Sequence, residues 1–286
     1  MKIVTKKNDL VNLLEPSWKG PDKIGFVPTM GALHQGHLSL ILKAIQENSY
    51  VLVSIFVNPT QFNDNEDLNN YPRKNSEDLA ILKDLLRQED IVFIPEEAEM
   101  YPERDMRRFD FGHLDTIMEG AHRPGHFNGV AQIVSKLFDL IKPDFAYFGE
   151  KDLQQLIILK KLTNIIGSNT TIISCPIIRE NDGLAMSSRN QLLSKTERKE
   201  AANISQALFD AAKLKKQLSP IKLRESIINR INSNPELEVE YFEIVDGFKL
   251  KPVSSWESSP LIYGCIAVKL GSIRLIDNYK LVNKKD

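Results

Sequence analysis

The stretch Val27-Pro28-Thr29-Met30-Gly31-Ala32-Leu33-His34-Gln35-Gly36-His37-Leu38 decides the fold. It follows the apolar run 24–27, which predicts a buried strand. Apolar residues then recur three and four positions apart over residues 38–45, which predicts a helix. The chain is therefore expected to pass through a strand, a tight glycine-bearing turn and a helix N-terminus.

Two histidines mark the start of this predicted helix. His34 and His37 are three residues apart and share a helical face. Unpaired N–H groups at a helix N-terminus suit a phosphate, and Gly31 and Gly36 let the backbone approach a ligand closely. Two imidazoles there could stabilise charge that develops on a phosphate. The alternative is that one histidine caps the helix and the other is a solvated surface residue, but the spaced pair between glycines favours the functional interpretation.

Composition sets the broad class. The 286 residues are 42% hydrophobic and 26% charged, which is typical of a globular protein of one or two domains. The net charge of −1 gives no basic field for nucleic acid or membrane. Residues 1–7 lack a signal-peptide core, and the apolar runs are too short to span a bilayer. Cys175 and Cys265 lack metal-ligand spacing, so we expect reduced thiols and a cytoplasmic location.

Strand and helix patterns alternate from residue 24 to about 175. The predicted strands are 24–27, 50–57, 91–94, 145–148 and 170–174. One predicted helix begins near residue 38, and the others cover residues 76–87, 128–141 and 153–166. This alternation predicts an α/β fold with a Rossmann-like, doubly wound parallel sheet. The segment 95–128 has weak periodicity, and we interpret it as a flap or wall of a site.

The pattern changes after about residue 180. Amphipathic helices are predicted at 197–214 and 220–231, followed by strands at 239–245, 261–268 and 272–276. We therefore predict a nucleotide-binding and catalytic domain over residues 1–180 and a smaller C-terminal α+β lid domain over residues 181–286.

Polar loops follow four of the predicted strands, at residues 28–37, 58–62, 149–152 and 179–190. Doubly wound sheets bind ligands at the carboxyl ends of their strands. We therefore expect these four loops to converge on one edge of the sheet.

Charged residues in two of these loops suit a nucleotide. Lys151 can neutralise a triphosphate, and Asp152 can hold a ribose hydroxyl or a metal-bound water. The residues Met186-Ser187-Ser188-Arg189 offer hydroxyls and a guanidinium fork to phosphate oxygens. The alternatives are a solvated helix start with an aspartate cap, and an interdomain loop whose serines cap a helix near Thr196.

Neutral amides at Asn58, Gln61 and Gln155 could hold a substrate hydroxyl or carbonyl, although the pair 58–59 also suits a turn. The sequence has no Walker P-loop, dinucleotide fingerprint, paired carboxylates or Cys/His cluster. These patterns together favour nucleotidyl chemistry at an α-phosphate, driven by positioning and charge stabilisation.

The motifs resemble a known family. His34-Gln35-Gly36-His37 and Met186–Arg189 resemble the two signatures of the nucleotidyltransferase superfamily. The wider stretches that resemble the pantothenate synthetase family are Val27–His34, Ser54–Pro59, Tyr71–Arg73, Arg123–Phe127, Phe148–Asp152 and Gly183–Asn190. The resemblance covers residues 24–190 and continues less distinctly beyond them.

The resemblance implies a reaction. The family joins pantoate to β-alanine and splits ATP to AMP and pyrophosphate. Pantoate first attacks the α-phosphate to give pantoyl-adenylate, and the β-alanine amine then displaces AMP. A plain adenylyl- or cytidylyltransferase of the same superfamily is the alternative enzyme, and a nucleotide-binding regulator without turnover is the non-enzymatic one.

The resemblance also implies site residues. The catalytic assignments are His37 (the usual proton donor), His34 and Lys151. The expected ATP-binding positions are Pro28, Thr29, Met30, Gly31, Ala32, Leu33, His34, Gln35, Gly36, His37, Gly149, Glu150, Lys151, Asp152, Ile178, Met186, Ser187, Ser188 and Arg189. The expected substrate-binding positions are Gln61, Gln155, Asn58, His126, Arg123 and Tyr71.

Family members use Mg²⁺ and form homodimers, so we expect both here, with no nucleic acid or membrane partner. The magnesium ligands are not assigned. Glu77 and Asp78 are candidates, although an exposed acidic helix start explains them equally well.

Overall fold

The computed structural model describes residues 1–284 and divides into two compact units. The first unit comprises Met1–Glu150 and Ile158–Pro176. The second comprises Lys151–Ile157 and Ile177–Asp286, of which residues 285 and 286 lie outside the described part. The domain bounds of 1–180 and 181–286 stay a prediction.

The first unit is built on a parallel sheet. Its elements are β1 (Lys2–Val4), α1 (Lys7–Trp18), β2 (Ile24–Thr29), α2 (Gln35–Glu47), β3 (Tyr50–Ile55), α3 (Asn65–Asn70), α4 (Asn75–Leu85), β4 (Ile91–Phe93), α5 (Glu97–Met100), α6 (Met118–His122), α7 (His126–Ile141), β5 (Phe145–Gly149), α8 (Leu153–Ile165) and β6 (Thr171–Cys175). Of these, α8 has its first residues, up to Ile157, in the second unit.

Within the described residues, six parallel strands pair in the order β1-β4-β3-β2-β5-β6. The chain moves from β2 to β3 and β4 in one direction, and then returns to add β5 and β6 on the other side of β2. The strand order therefore reverses between β2 and β5, as in a doubly wound sheet. The predicted fold class is confirmed.

Burial explains why these segments form the sheet. Every residue of β3 after Tyr50 is buried, and β2 is buried except at Pro28. Side chains of α2 and α4, including Ile41 and Leu82, pack with both strands in one apolar cluster. Strands of parallel sheets read as continuous apolar runs because both faces are covered.

Several bounds differ from the prediction. The strand β3 ends at Ile55 rather than residue 57, because the chain turns at Asn58-Pro59 into a short 3-10 helix. The segment 95–128 is not wholly irregular, since it contains α5, α6 and a 3-10 turn at Gly112–Asp115. The sequence patterns missed β1, α1 and α3. They are short or, in α1, interrupted by Pro16.

The second unit contains a small antiparallel sheet covered by helices. Its elements are α9 (Lys195–Leu214), α10 (Pro220–Asn232), β7 (Leu237–Asp246), β8 (Leu261–Leu270) and β9 (Ile273–Asn283). Within the described residues the strands pair in the order β7-β8-β9. Apolar side chains of both helices and all three strands form one core. This confirms the predicted α+β arrangement.

The strand β9 is longer than predicted, since it continues to Asn283 rather than ending at residue 276. Asp277 and Asn278 interrupt its apolar pattern, yet both are 3% exposed. Buried polar side chains of this kind are normally hydrogen-bonded. Their partners are described with the site below.

Candidate active site

The turn after β2 is held from behind by one carboxylate. Ala32 N and Leu33 N donate to the two carboxylate oxygens of Asp78, at 2.9 and 2.8 Å. Asp78 lies in the first turn of α4 and is 1% exposed. A carboxylate that accepts backbone N–H groups makes strong, charge-assisted hydrogen bonds. Asp78 therefore fixes the backbone that leads to the histidines.

The turn itself requires a left-handed backbone. Gly31 has φ +80°, and Ala32 has φ +50°. A Cβ atom at Gly31 would lie 3.0 Å from Asp78 Oδ2 and 3.1 Å from Ile55 Cγ2. Glycine is therefore required both by the dihedral angle and by the close packing against Asp78.

Both histidines cap α2. His34 Nδ1 accepts a hydrogen bond from Gly36 N at 3.1 Å, and His37 Nδ1 accepts one from His34 N at 3.3 Å. Their ring centroids are 4.1 Å apart. An Nδ1 that accepts carries no proton, so the neutral ring carries its proton on Nε2.

Each histidine is therefore a cap through Nδ1 and a hydrogen-bond donor through Nε2. The sequence prediction sets capping against a functional role for this pair, but the geometry makes the two compatible. The interpretation of one histidine as a solvated surface residue is wrong, because both rings take part in the cap and both residues are only partly exposed.

A chain of hydrogen bonds orients Gln61. Asn58 Nδ2 donates to Gly129 O at 3.1 Å and to Gln61 Oε1 at 3.2 Å. Gln61 Nε2 donates to Met30 Sδ at 3.0 Å. A backbone carbonyl can only accept, so Gly129 sets the orientation of the Asn58 amide, and Asn58 sets that of Gln61. Asn58 and Gln61 are 1% and 9% exposed.

Tyr101, in the segment 95–128, extends this chain of hydrogen bonds, although it is not among the predicted site residues. Its hydroxyl donates to Asn58 Oδ1 at 2.7 Å. Burial raises the pKa of Tyr101 to about 12, so the hydroxyl keeps its proton and acts as a donor. Lys136 Nζ lies 5.1 Å from the ring centroid. No local sequence signal indicates this role.

Residues after Tyr101 are fixed to α7. Asp105 pairs with Arg107 at 2.7 Å and with Lys136 at 3.3 Å. The hydrogen bond from Arg107 lowers the pKa of Asp105 to about 2. Gln132 Nε2 donates to the carbonyls of both Asp105 and Arg107. Of the two predicted roles of the segment 95–128, these contacts favour a fixed wall of the site over a flap for residues 101–107.

Three predicted substrate-binding residues lie near the Gln61 segment. His126 Nδ1 is 2.8 Å from Gln61 O, and Arg123 Nη1 is 3.2 Å from His126 Nε2. Because guanidinium can only donate, Nε2 accepts and Nδ1 donates to the carbonyl. Tyr71 packs edge-on against Phe62, with ring centroids 5.7 Å apart. His126 and Tyr71 are each 6% exposed, so their observed contacts brace the Gln61 segment.

The carboxyl edge of the parallel sheet brings several predicted positions together. The loops 28–37 and 58–61 follow the neighbouring strands β2 and β3, and Gly149 and Glu150 lie at the end of β5, which also pairs with β2. The strand order reverses between β2 and β5, which is where doubly wound sheets bind ligands. The convergence of these loops with 151–152 and 179–190 stays a prediction.

In the second unit, Lys151 and Asp152 lie in a 3-10 turn that leads into α8. Lys151 Nζ is 3.8 Å from Asp152 Oδ1, and the lysine side chain is 20% exposed. Gln155 lies in the first turn of α8 and is partly exposed.

The predicted phosphate loop of the second unit is a hairpin followed by a 3-10 turn. Met186 N donates to Ile178 O at 3.0 Å, and Arg179 pairs with Ala185 in a β-bridge. Ser187 Oγ accepts from Arg189 N at 3.3 Å, which starts the turn Ser188–Leu192.

The serines of this loop do not cap the following helix. The N-cap of α9 is Ser194, whose side chain accepts from Glu197 N. The predicted alternative, in which Ser187 and Ser188 cap a helix near Thr196, is therefore wrong. The phosphate-binding interpretation stays a prediction.

The two magnesium candidates have other partners. Glu77 is exposed and lies 3.2 Å from Lys74. Asp78 holds the turn after β2, so the description of both as an exposed helix start is wrong for Asp78. Residues 1–284 contain no group of three or more His, Cys, Asp or Glu side chains placed to hold a metal ion. Mg²⁺ commonly binds through substrate phosphates and waters with one or two carboxylates, so this mode of binding does not need a group of three protein ligands.

The doubly wound parallel sheet, with a histidine-bearing loop after β2 at its switch point, defines a nucleotidyltransferase-like α/β protein. Residues 2–280 match the pantoate-beta-alanine ligase family, and the chain belongs to that family. The predicted family is confirmed. No helix within residues 1–284 combines the length and apolar character needed to cross a membrane.

Relatives and solved structures agree with this assignment. The pantothenate synthetase of Bacteroides thetaiotaomicron is 50% identical over 280 residues, which are 98% of this chain and 99% of that protein. A crystal structure of pantothenate synthetase from Thermus thermophilus matches with a TM-score of 0.92 and 39% identity over 99% of this chain and 100% of that one.

A third match has ligands. The pantoate-beta-alanine ligase of Francisella tularensis, complexed with beta-gamma ATP and beta-alanine, has a TM-score of 0.83 and 37% identity over 98% of both chains. The predicted ligase activity is confirmed by this family assignment, and a plain adenylyl- or cytidylyltransferase is not favoured.

Proposed function

We propose that this chain condenses pantoate with β-alanine and cleaves ATP to AMP and pyrophosphate. A pantoate carboxylate oxygen attacks the α-phosphorus, and the bond to the β-phosphate oxygen breaks to release pyrophosphate. The β-alanine nitrogen then attacks the acyl carbon of pantoyl-adenylate, loses a proton, and displaces AMP as the C–O bond breaks. The ligands named for the Francisella tularensis structure support ATP and β-alanine as substrates.

The capping geometry of His34 and His37 carries the proposal. Because both Nδ1 atoms accept from the backbone, both neutral rings present an Nε2–H donor. Preorganised donors stabilise charge that develops in a transition state, and they need no reorganisation when the reaction occurs. We assign both residues to the triphosphate during adenylation. His37, the usual proton donor by resemblance, would in this geometry donate the hydrogen bond of its Nε2–H without giving up the proton.

The other ATP contacts are proposed for two loops of the second unit and the end of β5. Lys151 would neutralise triphosphate charge, and Arg189 would bind phosphate oxygens as a fork. The remaining proposed ATP-binding positions are Pro28–Leu33, Gln35, Gly36, Gly149, Glu150, Asp152, Ile178, Met186, Ser187 and Ser188.

We propose that pantoate binds the side-chain amides of Gln61 and Gln155. Gln61 Oε1 accepts a hydrogen bond from Asn58 Nδ2, so the Gln61 side chain would contact pantoate chiefly as a donor through Nε2. Gln155 would supply the second amide, while the carboxylate stays available to attack. We propose that His126, Arg123 and Tyr71 form part of the wall of the same pocket.

Further elements of the proposal are a magnesium ion, a homodimer and a cytoplasmic location. Mg²⁺ would neutralise charge on the nucleotide phosphates when it is bound with them. We also propose residues 1–180 as the catalytic domain and residues 181–286 as the lid domain.

The test uses purified protein with ATP, Mg²⁺ and pantoate, with and without β-alanine, while pyrophosphate and AMP are followed separately. We expect pantoate-dependent pyrophosphate release without the amine, and AMP release with pantothenate formation only when β-alanine is added. Pyrophosphate release that is independent of pantoate, or an adenylate that β-alanine does not consume, would contradict the proposal.

A further inference from the structure

A buried ion pair joins β9 to the hairpin that bears the proposed phosphate loop. Arg179 Nη1 and Nη2 donate to Asp277 Oδ2 and Oδ1 at 2.6 and 3.0 Å. The Asp277 side chain is 2% exposed, and that of Arg179 is 17% exposed. This bidentate geometry fixes both distance and orientation, which a single hydrogen bond does not.

The same guanidinium also holds the hairpin backbone. Arg179 Nη1 donates to Gly183 O at 3.0 Å, and Nη2 donates to Asn278 O at 3.0 Å. Its planar group lies 5.1 Å from the centroid of the Phe209 ring. Arg179 therefore links its own strand and the turn of the hairpin to β9, and residues Met186–Arg189 continue directly from that hairpin.

Asn278 connects this ion pair to Lys151. Asn278 N donates to Asp277 Oδ1 at 2.7 Å, and Asn278 Nδ2 donates to Lys151 O at 2.9 Å. Asn278 is 3% exposed. The backbone of the proposed catalytic lysine is thus hydrogen-bonded to the residue that follows the buried carboxylate.

We propose that Asp277 and Asn278 are positioning residues for adenylation, because they hold the Lys151 turn and the Ile178–Arg189 loop in one arrangement. Neither residue is assigned a contact with substrate. This inference rests on the proposed function, in which both of those segments bind the triphosphate. It predicts that the two residues affect ATP use and not amine capture.

The primary variant is Asn278→Ala, which removes the hydrogen bond to Lys151 and leaves the Arg179–Asp277 pair in place. We expect kcat/KM for ATP in pyrophosphate release to fall about tenfold to a hundredfold, since small misplacements of catalytic groups have effects of this size. Capture of supplied pantoyl-adenylate by β-alanine should stay within a factor of about two.

The matched control is Asn234→Ala, which removes an amide of the same unit that donates to Glu200. We expect it to leave both half-reactions unchanged. A second variant, Asn278→Ser, restores a donor near Lys151 and should recover part of the lost adenylation rate. The thermal midpoint of each variant separates a positioning effect from unfolding.

The inference is contradicted if Asn278→Ala leaves adenylation unchanged, or if it slows both half-reactions equally in a folded protein. It is also contradicted if Asn234→Ala has the same selective effect. These outcomes are distinct from failure of the proposed function, which the wild-type protein would reveal by showing no pantoate-dependent pyrophosphate release.

Discussion

Each of the two units carries a loop proposed to bind phosphate, and each loop is held by one buried aspartate in a different way. Asp78 accepts backbone N–H groups of Ala32 and Leu33 directly. Asp277 acts through the side chain of Arg179, which then contacts the hairpin. The first arrangement depends on one side chain, whereas the second depends on two.

This difference has energetic consequences. A buried ion pair loses much of its Coulomb gain to desolvation, but removal of one partner leaves an uncompensated charge. Burial raises the pKa of Asp277, while Arg179 opposes that rise. Loss of Asp78 instead leaves two backbone N–H groups without their acceptor, which costs less per group. We therefore expect the second loop to tolerate single substitutions less well than the first.

The largest expected effect follows from breaking the ion pair on one side. Arg179→Met should lower the free energy of unfolding by about 3–5 kcal/mol, because Asp277 stays buried and unpaired. The double variant Arg179→Met with Asp277→Leu should recover most of that loss. Urea unfolding measures both. The control Arg198→Ala disrupts the more exposed pair with Asp182 and should change stability by roughly 1 kcal/mol or less.

If the double variant were no more stable than Arg179→Met, the unpaired charge of Asp277 would not be the cause of the stability loss in Arg179→Met. The asymmetry between the two loops would then need a different explanation, such as lost packing of the Arg179 side chain against Phe209.

The next largest effect concerns the histidines that the Asp78 loop presents. His34→Ala and His37→Ala should each lower kcat about 10²–10³-fold, with a smaller change in ATP affinity, since the donors meet charge that grows in the transition state. Steady-state kinetics and ATP binding measure the two effects. His113→Ala, an exposed histidine, serves as the control. Turnover near that of the wild type in both variants would remove the histidines from the mechanism.

The amides of the proposed pantoate pocket should give a slightly smaller effect. A pantoate analogue without its 2-hydroxyl should be adenylated about 10²-fold less efficiently, because the site's polar groups are left unpaired. Truncation of Gln61 or Gln155 to Ala should shrink this preference while ATP binding is kept. Specificity constants for both acids decide the question, with Gln206→Ala as an exposed control that donates to Asp210. Full preference in the Gln61 and Gln155 variants would show that these residues do not contact pantoate.

The smallest expected effect is in the first loop. Asp78→Asn keeps one carbonyl acceptor but loses the charge and turns an N–H group toward one of the loop amides. We expect a stability loss of about 1–2 kcal/mol. The exposed Asp84→Asn on the same helix is the control, and thermal unfolding measures both. A stability loss as large as that of Arg179→Met would contradict the expected difference between the two loops in their tolerance of single substitutions.

Local sequence patterns predicted the elements on either side of the first loop. Continuous apolar runs identified β2 and β3, and the glycines around His34 and His37 identified the turn and the helix start. These signals are local, because burial on both faces and left-handed dihedral angles each impose requirements within a few residues. The α/β class and the order along the chain of the polar loops that follow the strands could be predicted from these local signals.

The supports of these loops could not be predicted in the same way. For Asp78 the sequence predicts either a magnesium ligand or part of an exposed helix start, since acidic residues are common there. Asp78 accepts from Ala32, which is 46 residues away in sequence, and Asp277 lies 98 residues from Arg179. Tyr101 and Asn278 likewise contact distant segments. A buried polar residue without a local partner leaves no periodic signal. In β9, Asp277 and Asn278 are such residues, and the strand prediction ended just before them, at residue 276.

The histidine loop and the Lys151 turn are proposed to serve the same half-reaction, and this is the central claim. The most direct measurement compares the two half-reactions in His37→Ala and Lys151→Ala: pyrophosphate release from ATP and pantoate, and β-alanine capture of supplied pantoyl-adenylate. We predict that both variants slow pyrophosphate release strongly and leave capture nearly intact. Equal damage to both half-reactions in either variant would contradict the claim.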